Sequence, residues 1–411
     1  MENLLWAHDL ETAQRRGAKE AVVSAECCTM AENLPIGCVA VILELLIKGA
    51  AEKNYSDLKK AAEKCLASGS LPELPFDRAD EETLAAILTE ALAKEAALSC
   101  GERAFVKSCN CVTLGMAAYI CARADIAVKT ADVAVSMNLE AIRGELGAFD
   151  KRLHELGRPF PGQIETAENV RRITEGSQLT TDEGRYAYGY DKKPRVQDAI
   201  CVRATPQTHG GARDIFHWCE EQVVKDWNSG AAELYRTEYA MNALATALAD
   251  LAHISERRGF RLNDTRLSYG LPMNLVADEL GINYGFPIVQ STQAAETAEL
   301  KLLTLPTAAI KRTNCCHAYF AVSRLFELIL KLNRVMAVEI LMSAQALDIV
   351  HAKIPEFAFG AGTKAAYRRL REEIPMMVEN RFTAPDMIAA EHLTAGGEIL
   401  KAAESAVGTL K

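Results

Sequence analysis

The chain has 411 residues, of which 49% are apolar, 25% charged and 6% aromatic, and 46 Lys and Arg against 55 Asp and Glu give a net charge of -9. That is the composition of a globular chain long enough to bury a sizeable core. An acidic balance without a Lys/Arg-rich tract excludes the cationic footprint of a nucleic-acid binder, and the longest apolar stretch, Ile36 to Ile47, is interrupted by Glu44 and too short to cross a bilayer.

Along the chain, helical periodicity dominates and strand alternation is nearly absent. The opening residues, Met1 to Arg16, lack a basic start, an apolar middle and a small-residue cleavage site. The twelve cysteines are scattered, so reduced thiols in a cytoplasmic protein are expected. From Val112 to Leu156 apolar residues recur at three- and four-residue steps. Gly157-Arg158-Pro159-Phe160-Pro161-Gly162-Gln163 reads as a turn cluster, and 176–196, polar and rich in Tyr and Gly, as a long ordered loop. A second helix is expected over Ala231–Leu262, ending in the charged run Glu256-Arg257-Arg258. The third, Cys315–Lys353, contains neither Gly nor Pro and is apolar around much of its circumference, which suits the centre of a bundle or oligomer. Pro355 and Phe357-Ala358-Phe359-Gly360 end it, and shorter peripheral helices follow over 363–411. The expected fold is all-α: an elongated bundle of long helices, oligomeric, with an N-terminal helical region over 1–101, the central bundle over 102–353 and peripheral helices over 354–411.

Several stretches together carry a family resemblance. They are Val128-Lys129-Thr130-Ala131-Asp132 through Leu156, the turn at 158–163, Val196-Gln197-Asp198-Ala199-Ile200-Cys201-Val202-Arg203, Pro206-Gln207-Thr208-His209-Gly210 and Ile254-Ser255-Glu256-Arg257-Arg258. Ser268-Tyr269-Gly270-Leu271-Pro272, Gly285-Phe286, Leu305-Pro306-Thr307 and Ala337 to Asp348 complete the series. In order and spacing the chain resembles the aromatic amino acid ammonia-lyases, the histidine and phenylalanine ammonia-lyases. The resemblance implies a homotetramer whose long helices share one bundle, with active sites assembled from several subunits. It implies elimination of an amine from the α-carbon of an aromatic amino acid. Members place a catalytic Tyr on a loop ahead of everything matched here, so that segment is expected to be missing. Tyr55, Tyr186, Tyr188, Tyr190 and Tyr235 are the available substitutes, unassigned by spacing.

The departures from the family pattern shape the expected chemistry. Family enzymes cyclise an Ala-Ser-Gly tripeptide into an electrophilic methylideneimidazolone, a reaction that needs an unhindered Gly nitrogen. At the matching junction, before Asp57-Leu58, this chain reads Asn54-Tyr55-Ser56. Ala67-Ser68-Gly69 occurs later, in the composition of a helix end. Where members have Asn-Gly-Thr, the chain reads Lys107-Ser108-Cys109-Asn110; where they have a Tyr before the carboxylate-binding Arg it has Ile200, with Arg203 kept. After Pro306-Thr307, Asn-Gln-Glu becomes Ile310-Lys311-Arg312. The pocket is expected to have lost neutral and acidic groups and gained cations.

A lyase without its electrophile needs a substrate that arrives activated. A trimethylammonium group leaves as a neutral amine, and a 2-thioimidazole accepts charge as the β-proton departs, stabilised by a nearby ammonium. Both features meet in ergothioneine, and the chain resembles the ergothionase subgroup, which uses no cofactor. On that resemblance Lys107 and Lys311 are the expected catalytic groups. Arg203 is the expected carboxylate fork, and Arg312, Ser108 and Tyr55 are further substrate-binding candidates. The expected partner is a small betaine, with neither nucleic acid nor membrane. Alternatives are a histidine ammonia-lyase-like enzyme with an unrecognised electrophile, or a silent helical subunit. Cys109-Asn110-Cys111 and Cys315-Cys316-His317 have metal-ligand residue types, but their spacing fits no usual zinc site, and small-residue packing is expected of them. His209 is expected as a capped loop histidine.

Overall fold

The computed structural model describes residues 33–76, 80–193, 195–229, 233–310 and 316–411. In chain order its helices are α1 (Ile36–Glu52), α2 (Ser56–Ser68), α3 (Glu81–Glu95), α4 (Cys100–Ser108), α5 (Cys111–Ala141), α6 (Pro161–Ile173), α7 (Asp182–Ala187) and α8 (Ile200–Arg203). There follow α9 (Thr205–Ser229), α10 (Tyr235–Leu262), α11 (Pro287–Leu302), α12 (Thr307–Ile310), α13 (Ala318–Lys353), α14 (Ala361–Arg371), α15 (Ala384–Ala395) and α16 (Glu398–Val407). Among the described residues the only β pairings are isolated bridges. The fold is all-α, as the periodicity implies.

The chain divides into two compact units. The first takes residues 1–124, 216–245 and 303–327. Its core is supplied by α1, where Cys38 to Leu43 are fully or nearly fully buried, and by the start of α5, where Val112, Met116 and Ala117 are inaccessible. The two helices meet at a glycine: a Cβ on Gly115 would stand 2.3 Å from Ile42 Cγ1, so only a residue without a side chain lets them approach this closely.

The second unit takes 125–215, 246–302 and 328–411. One continuous core joins Val133 to Ala141 of α5 and the following Ile142, Ala337 to Val350 of α13 and the inner faces of α14 and α16. Here too glycine sets a contact, since a Cβ on Gly162 of α6 would lie 2.1 Å from the Gly210 carbonyl of α9. An 18-residue window of α5 has mean hydropathy 1.5, enough by length and composition to cross a membrane, but 83% of that window is buried in the protein.

Several boundaries differ from the sequence reading. The apolar pattern running to Leu156 does not form one helix, because α5 stops at Ala141 and short 3-10 and π turns occupy 146–149 and 153–157. The stop is made by Arg143, which adopts φ 51° and buries its guanidinium among carbonyls: Nη1 donates to Ala141 O at 2.5 Å and Nη2 to Tyr269 O. Burial pushes Arg143 down to about 10. Within 176–196, read as loop, Thr181 accepts from Gly184 N at 3.2 Å and starts the short helix α7. In the 157–163 cluster, Pro161 opens α6, where its missing N–H is no loss. The second and third long helices begin at Tyr235 and Ala318, later than expected.

Candidate active site

In the first unit, the junction that matters for the chemistry is the start of α2. Asn54 sits at φ 59°, Tyr55 precedes the first turn without a side-chain cap, and the helix begins at Ser56. A helix start leaves backbone donors without partners. Here a distant carboxylate takes them: Glu102 Oε1 accepts from Asp57 N at 3.1 Å and Leu58 N at 3.0 Å. Its Oε2 accepts from Ser99 N and Ser99 Oγ, both at 2.8 Å, closing a capping box at the start of α4. Burial alone would raise the Glu102 carboxyl, but the donors from Leu58, Ser99 and Asp57 outweigh it and hold it below the usual carboxylate value.

That cap brings Tyr55 onto α4. Its ring centroid lies 5.5 Å from that of Phe105, and its hydroxyl is 3.7 Å from where a Gly101 Cβ would stand. At about 100° per residue, Gly101, Phe105 and Ser108 share one face, while Lys107 lies about 100° or more round the helix. The structure therefore brings Tyr55 and the Ser108 face together, and places Lys107 on another face, exposed, in the last turn. Ser108 Oγ donates to Phe105 O at 3.4 Å.

Lys311 and Arg312 lie outside the described residues, but both flanks of their segment are held by one carboxylate of the same unit. Glu238 Oε1 accepts from Thr307 Oγ1 at 3.3 Å, and Oε2 accepts from His317 N at 3.1 Å. Asn242 adds a donor to Thr307 Oγ1 at 3.0 Å and accepts from Thr307 N at 2.9 Å.

Arg203 belongs to the second unit, at the end of α8, half-buried, with Nε lacking any hydrogen-bond partner. Ile200, one turn earlier, is 67% exposed. The turn is anchored from behind. Arg258 Nη1 donates to Cys201 O at 3.5 Å, and its Nε and Nη2 grip Glu339 at 2.5 and 2.9 Å, both side chains fully buried. Ser255 Oγ donates to Glu339 Oε2 at 2.6 Å. Within the charged run at 256–258, Glu256 and Arg258 are thus a buried support near the end of α10, with Gln290 Nε2 donating to Glu256 at 2.9 Å, while Arg257 is exposed and pairs with Glu256.

His209 is not a loop residue. It lies fully buried in α9, with Nδ1 2.8 Å from Asp132 Oδ1 and Nε2 3.4 Å from Arg258 Nη1. Burial lowers it against the pull of Asp132, so the ring is neutral. Arg258 can only donate, which leaves Nε2 as acceptor and puts the proton on Nδ1. Arg213 Nη2 donates to the other Asp132 oxygen at 2.6 Å.

Sequence reasoning missed the supporting carboxylates Glu102, Glu238 and Glu339. Only Glu102 had a local signal, the Ser99-x-x-Glu102 spacing. Among the described residues no group of three or more His, Cys, Asp or Glu is placed to hold a metal ion. Ala67-Ser68-Gly69 is the end of α2, with Gly69 in the left-handed conformation as its cap.

Comparison with known proteins agrees with the fold and the motif order. The model of the aromatic amino acid lyase family matches residues 80–233 and 230–372. Histidine ammonia-lyase 2 of Fusobacterium nucleatum is 32% identical over 309 residues, covering 69% of this chain and 58% of that protein. The histidine ammonia-lyase of Koribacter versatilis is 34% identical over 318 residues, with 69% and 59% covered. The chain thus spans under two thirds of the length of these curated relatives. Among solved structures, a tyrosine aminomutase from Streptomyces globisporus superposes with a TM-score of 0.82 at 21% identity, covering 95% of this chain and 85% of that one. Ergothionase from Treponema denticola superposes with a TM-score of 0.76 at 19% identity, covering 92% and 84%.

Proposed function

This chain belongs to the aromatic amino acid lyase family, and from that premise we propose that it is a carbon–nitrogen lyase that eliminates trimethylamine from ergothioneine to leave thiourocanate. The observation that carries the reading is the junction at α2. The family's prosthetic ring requires a small tripeptide ending in Gly, and the residues at this junction, Asn54-Tyr55-Ser56, do not fit it: the left-handed residue is Asn54, and no Gly supplies the attacking nitrogen. The Ala-Ser-Gly that the chain does contain is occupied as a helix terminus. No step is therefore assigned to such a ring.

The substrate must then carry its own activation. In the proposed reaction a base removes the β-proton and the C–H pair becomes the Cα=Cβ bond. The Cα–N bond breaks with its electrons staying on nitrogen, so trimethylamine departs neutral and unprotonated. Arg203, half-buried with an unpartnered Nε, supplies a fork for the substrate carboxylate. Lys107, in no ion pair among the described contacts, and Lys311 are assigned to the negative charge that develops on the thioimidazole, a contribution that counts because it is made in the transition state. Tyr55, Ser108 and Arg312 are assigned to binding. We further assign the active form to a homotetramer.

A second reading has support of its own: the relatives at 32–34% identity are named histidine ammonia-lyases, which favours histidine with an electrophile formed elsewhere. One experiment separates the readings. Purified protein is mixed with ergothioneine or with histidine, before and after borohydride treatment, while trimethylamine, ammonia and the conjugated products are followed. Turnover of the betaine, indifferent to borohydride, is the expected result. Turnover of histidine that borohydride abolishes would replace the proposal with the second reading, and turnover of neither would leave a silent homologue.

A further inference from the structure

The turn that joins α4 to α5 carries two thiols that the proposed elimination does not use. Cys109 and Cys111 are separated by Asn110, which adopts φ 51°, so the chain folds back between them. Two residues span at most about 7 Å even when extended, and a folded turn brings the Cα atoms inside the range that a disulfide bridges. Both sulfurs are gathered on one carbonyl: Cys109 Sγ lies 3.7 Å and Cys111 Sγ 3.8 Å from Val106 O.

The two are unequal. Cys109 is half-buried, and the donors from Cys111 at the start of a 31-residue helix pull its thiol below the usual value against burial and the nearby Glu81 carboxyl. Cys111 is inaccessible, and its contact with Cys109, together with burial, pushes its thiol well up. A half-buried thiol that ionises more readily than usual, beside a buried thiol that ionises less readily, is the division of labour of an attacking and a resolving cysteine.

We infer that Cys109 and Cys111 form a reversible dithiol–disulfide couple, a modification site for hydroperoxides at the end of the Lys107-Ser108 turn. The Cys109 thiolate attacks one peroxide oxygen, the S–O bond forms, the O–O bond breaks, and hydroxide leaves to be protonated to water. The Cys111 sulfur then attacks the Cys109 sulfur and gives up its proton. The S–O bond breaks and a second water leaves. The two thiols are oxidised by two electrons and the peroxide is reduced by two. A thiol reductant reverses the bond.

The test does not depend on the lyase reading. The whole chain is exposed to hydrogen peroxide, free thiols are alkylated, and the tryptic peptide 108–123 is fragmented. A Cys109–Cys111 bond that dithiothreitol reverses is expected, forming about tenfold faster than oxidation of Cys100, an exposed cysteine nine residues earlier. In Cys111→Ser the reaction is expected to stop at a sulfenic acid on Cys109 that dimedone traps, and in Cys109→Ser position 111 is expected to stay reduced. Oxidation of Cys109 no faster than Cys100, or over-oxidation of Cys109 in the wild-type chain without a bond to Cys111, would overturn the inference. Peptide mapping of the wild-type chain decides this even if a variant fails to fold.

Discussion

Glu102 accepts the backbone N–H of Leu58 at 3.0 Å across 44 residues of sequence, and through that bond the start of α2 and the start of α4 share one cap. The carboxylate satisfies four donors at once, from Asp57, Leu58, Ser99 N and Ser99 Oγ. Glu102→Ala leaves the two α2 amides without their partner, and an unsatisfied buried group costs about 1–3 kcal/mol. Thermal or urea unfolding should show that loss.

The same cap makes a signed pH prediction. The folded Glu102 carboxyl lies below its ordinary value, so its stabilisation is fully present above the unfolded pKa, about 4.3, and is lost as pH falls through the folded one. Glu102→Gln keeps the shape but not the charge. The stability gap between wild type and Glu102→Gln should be widest near neutrality and narrow below about pH 4. A gap that stays constant down to pH 3 would show that charge contributes nothing there.

Glu140 runs the other way. It is fully buried, both oxygens take the Gly360 N–H at 3.2 and 3.1 Å, and burial raises its carboxyl from 4.5 to about 8. Between those values the native state holds a proton that the unfolded state has lost, so stability falls as pH rises from about 4.5 to about 8 and then levels. Glu140→Gln, neutral throughout, should match wild type near pH 5 and exceed it by a few degrees in melting temperature near pH 8. A wild type that gains on the variant as pH rises would mean that the carboxylate is held ionised.

How much of this was legible in the sequence follows from the range of the interactions. Helices α10, α13 and the peripheral α14 to α16 announce themselves because burial of one face repeats every three to four residues, a local property. The end of α5 does not, because it depends on Arg143 reaching carbonyls at Ser268 and Tyr269, 125 and 126 residues away. Likewise the capping box at Ser99 was readable from its own spacing, whereas the second task of Glu102, at Asp57 and Leu58, was not. Arg203 was reached only through resemblance. Its anchoring by Arg258 and Glu339 needs three separated segments to meet, and no local pattern records that.

The Arg258–Glu339 pair should behave as a buried ion pair does. Both side chains are fully buried, so Glu339→Gln leaves a guanidinium without its counter-charge and should destabilise by about 3–5 kcal/mol. Replacing both, as Arg258→Met with Glu339→Leu, should recover much of that loss, since the uncompensated charge is gone. A double variant as unstable as the sum of the singles would argue that the pair's hydrogen bonds to Cys201 and Ser255 matter more than its charges.

For the proposed reaction, kinetics separate two of the assigned cations, Arg203 and Lys107, and the separation follows from where charge sits along that reaction. The carboxylate is charged before and after elimination, so a fork on it stabilises ground and transition states alike. Arg203→Lys should raise KM for ergothioneine, by about 10- to 100-fold for a lost charged hydrogen bond, with kcat nearly kept. The charge on the thioimidazole, in contrast, develops only as the β-proton leaves. Lys107→Met should therefore lower kcat by about 100-fold or more with KM little changed. Because Lys107 is exposed in the last turn of α4, its loss should leave the melting temperature within a degree or two, so the kinetic effect is separable from folding. Equal loss in KM and none in kcat would reassign Lys107 to binding, and no change in either would remove it from the site.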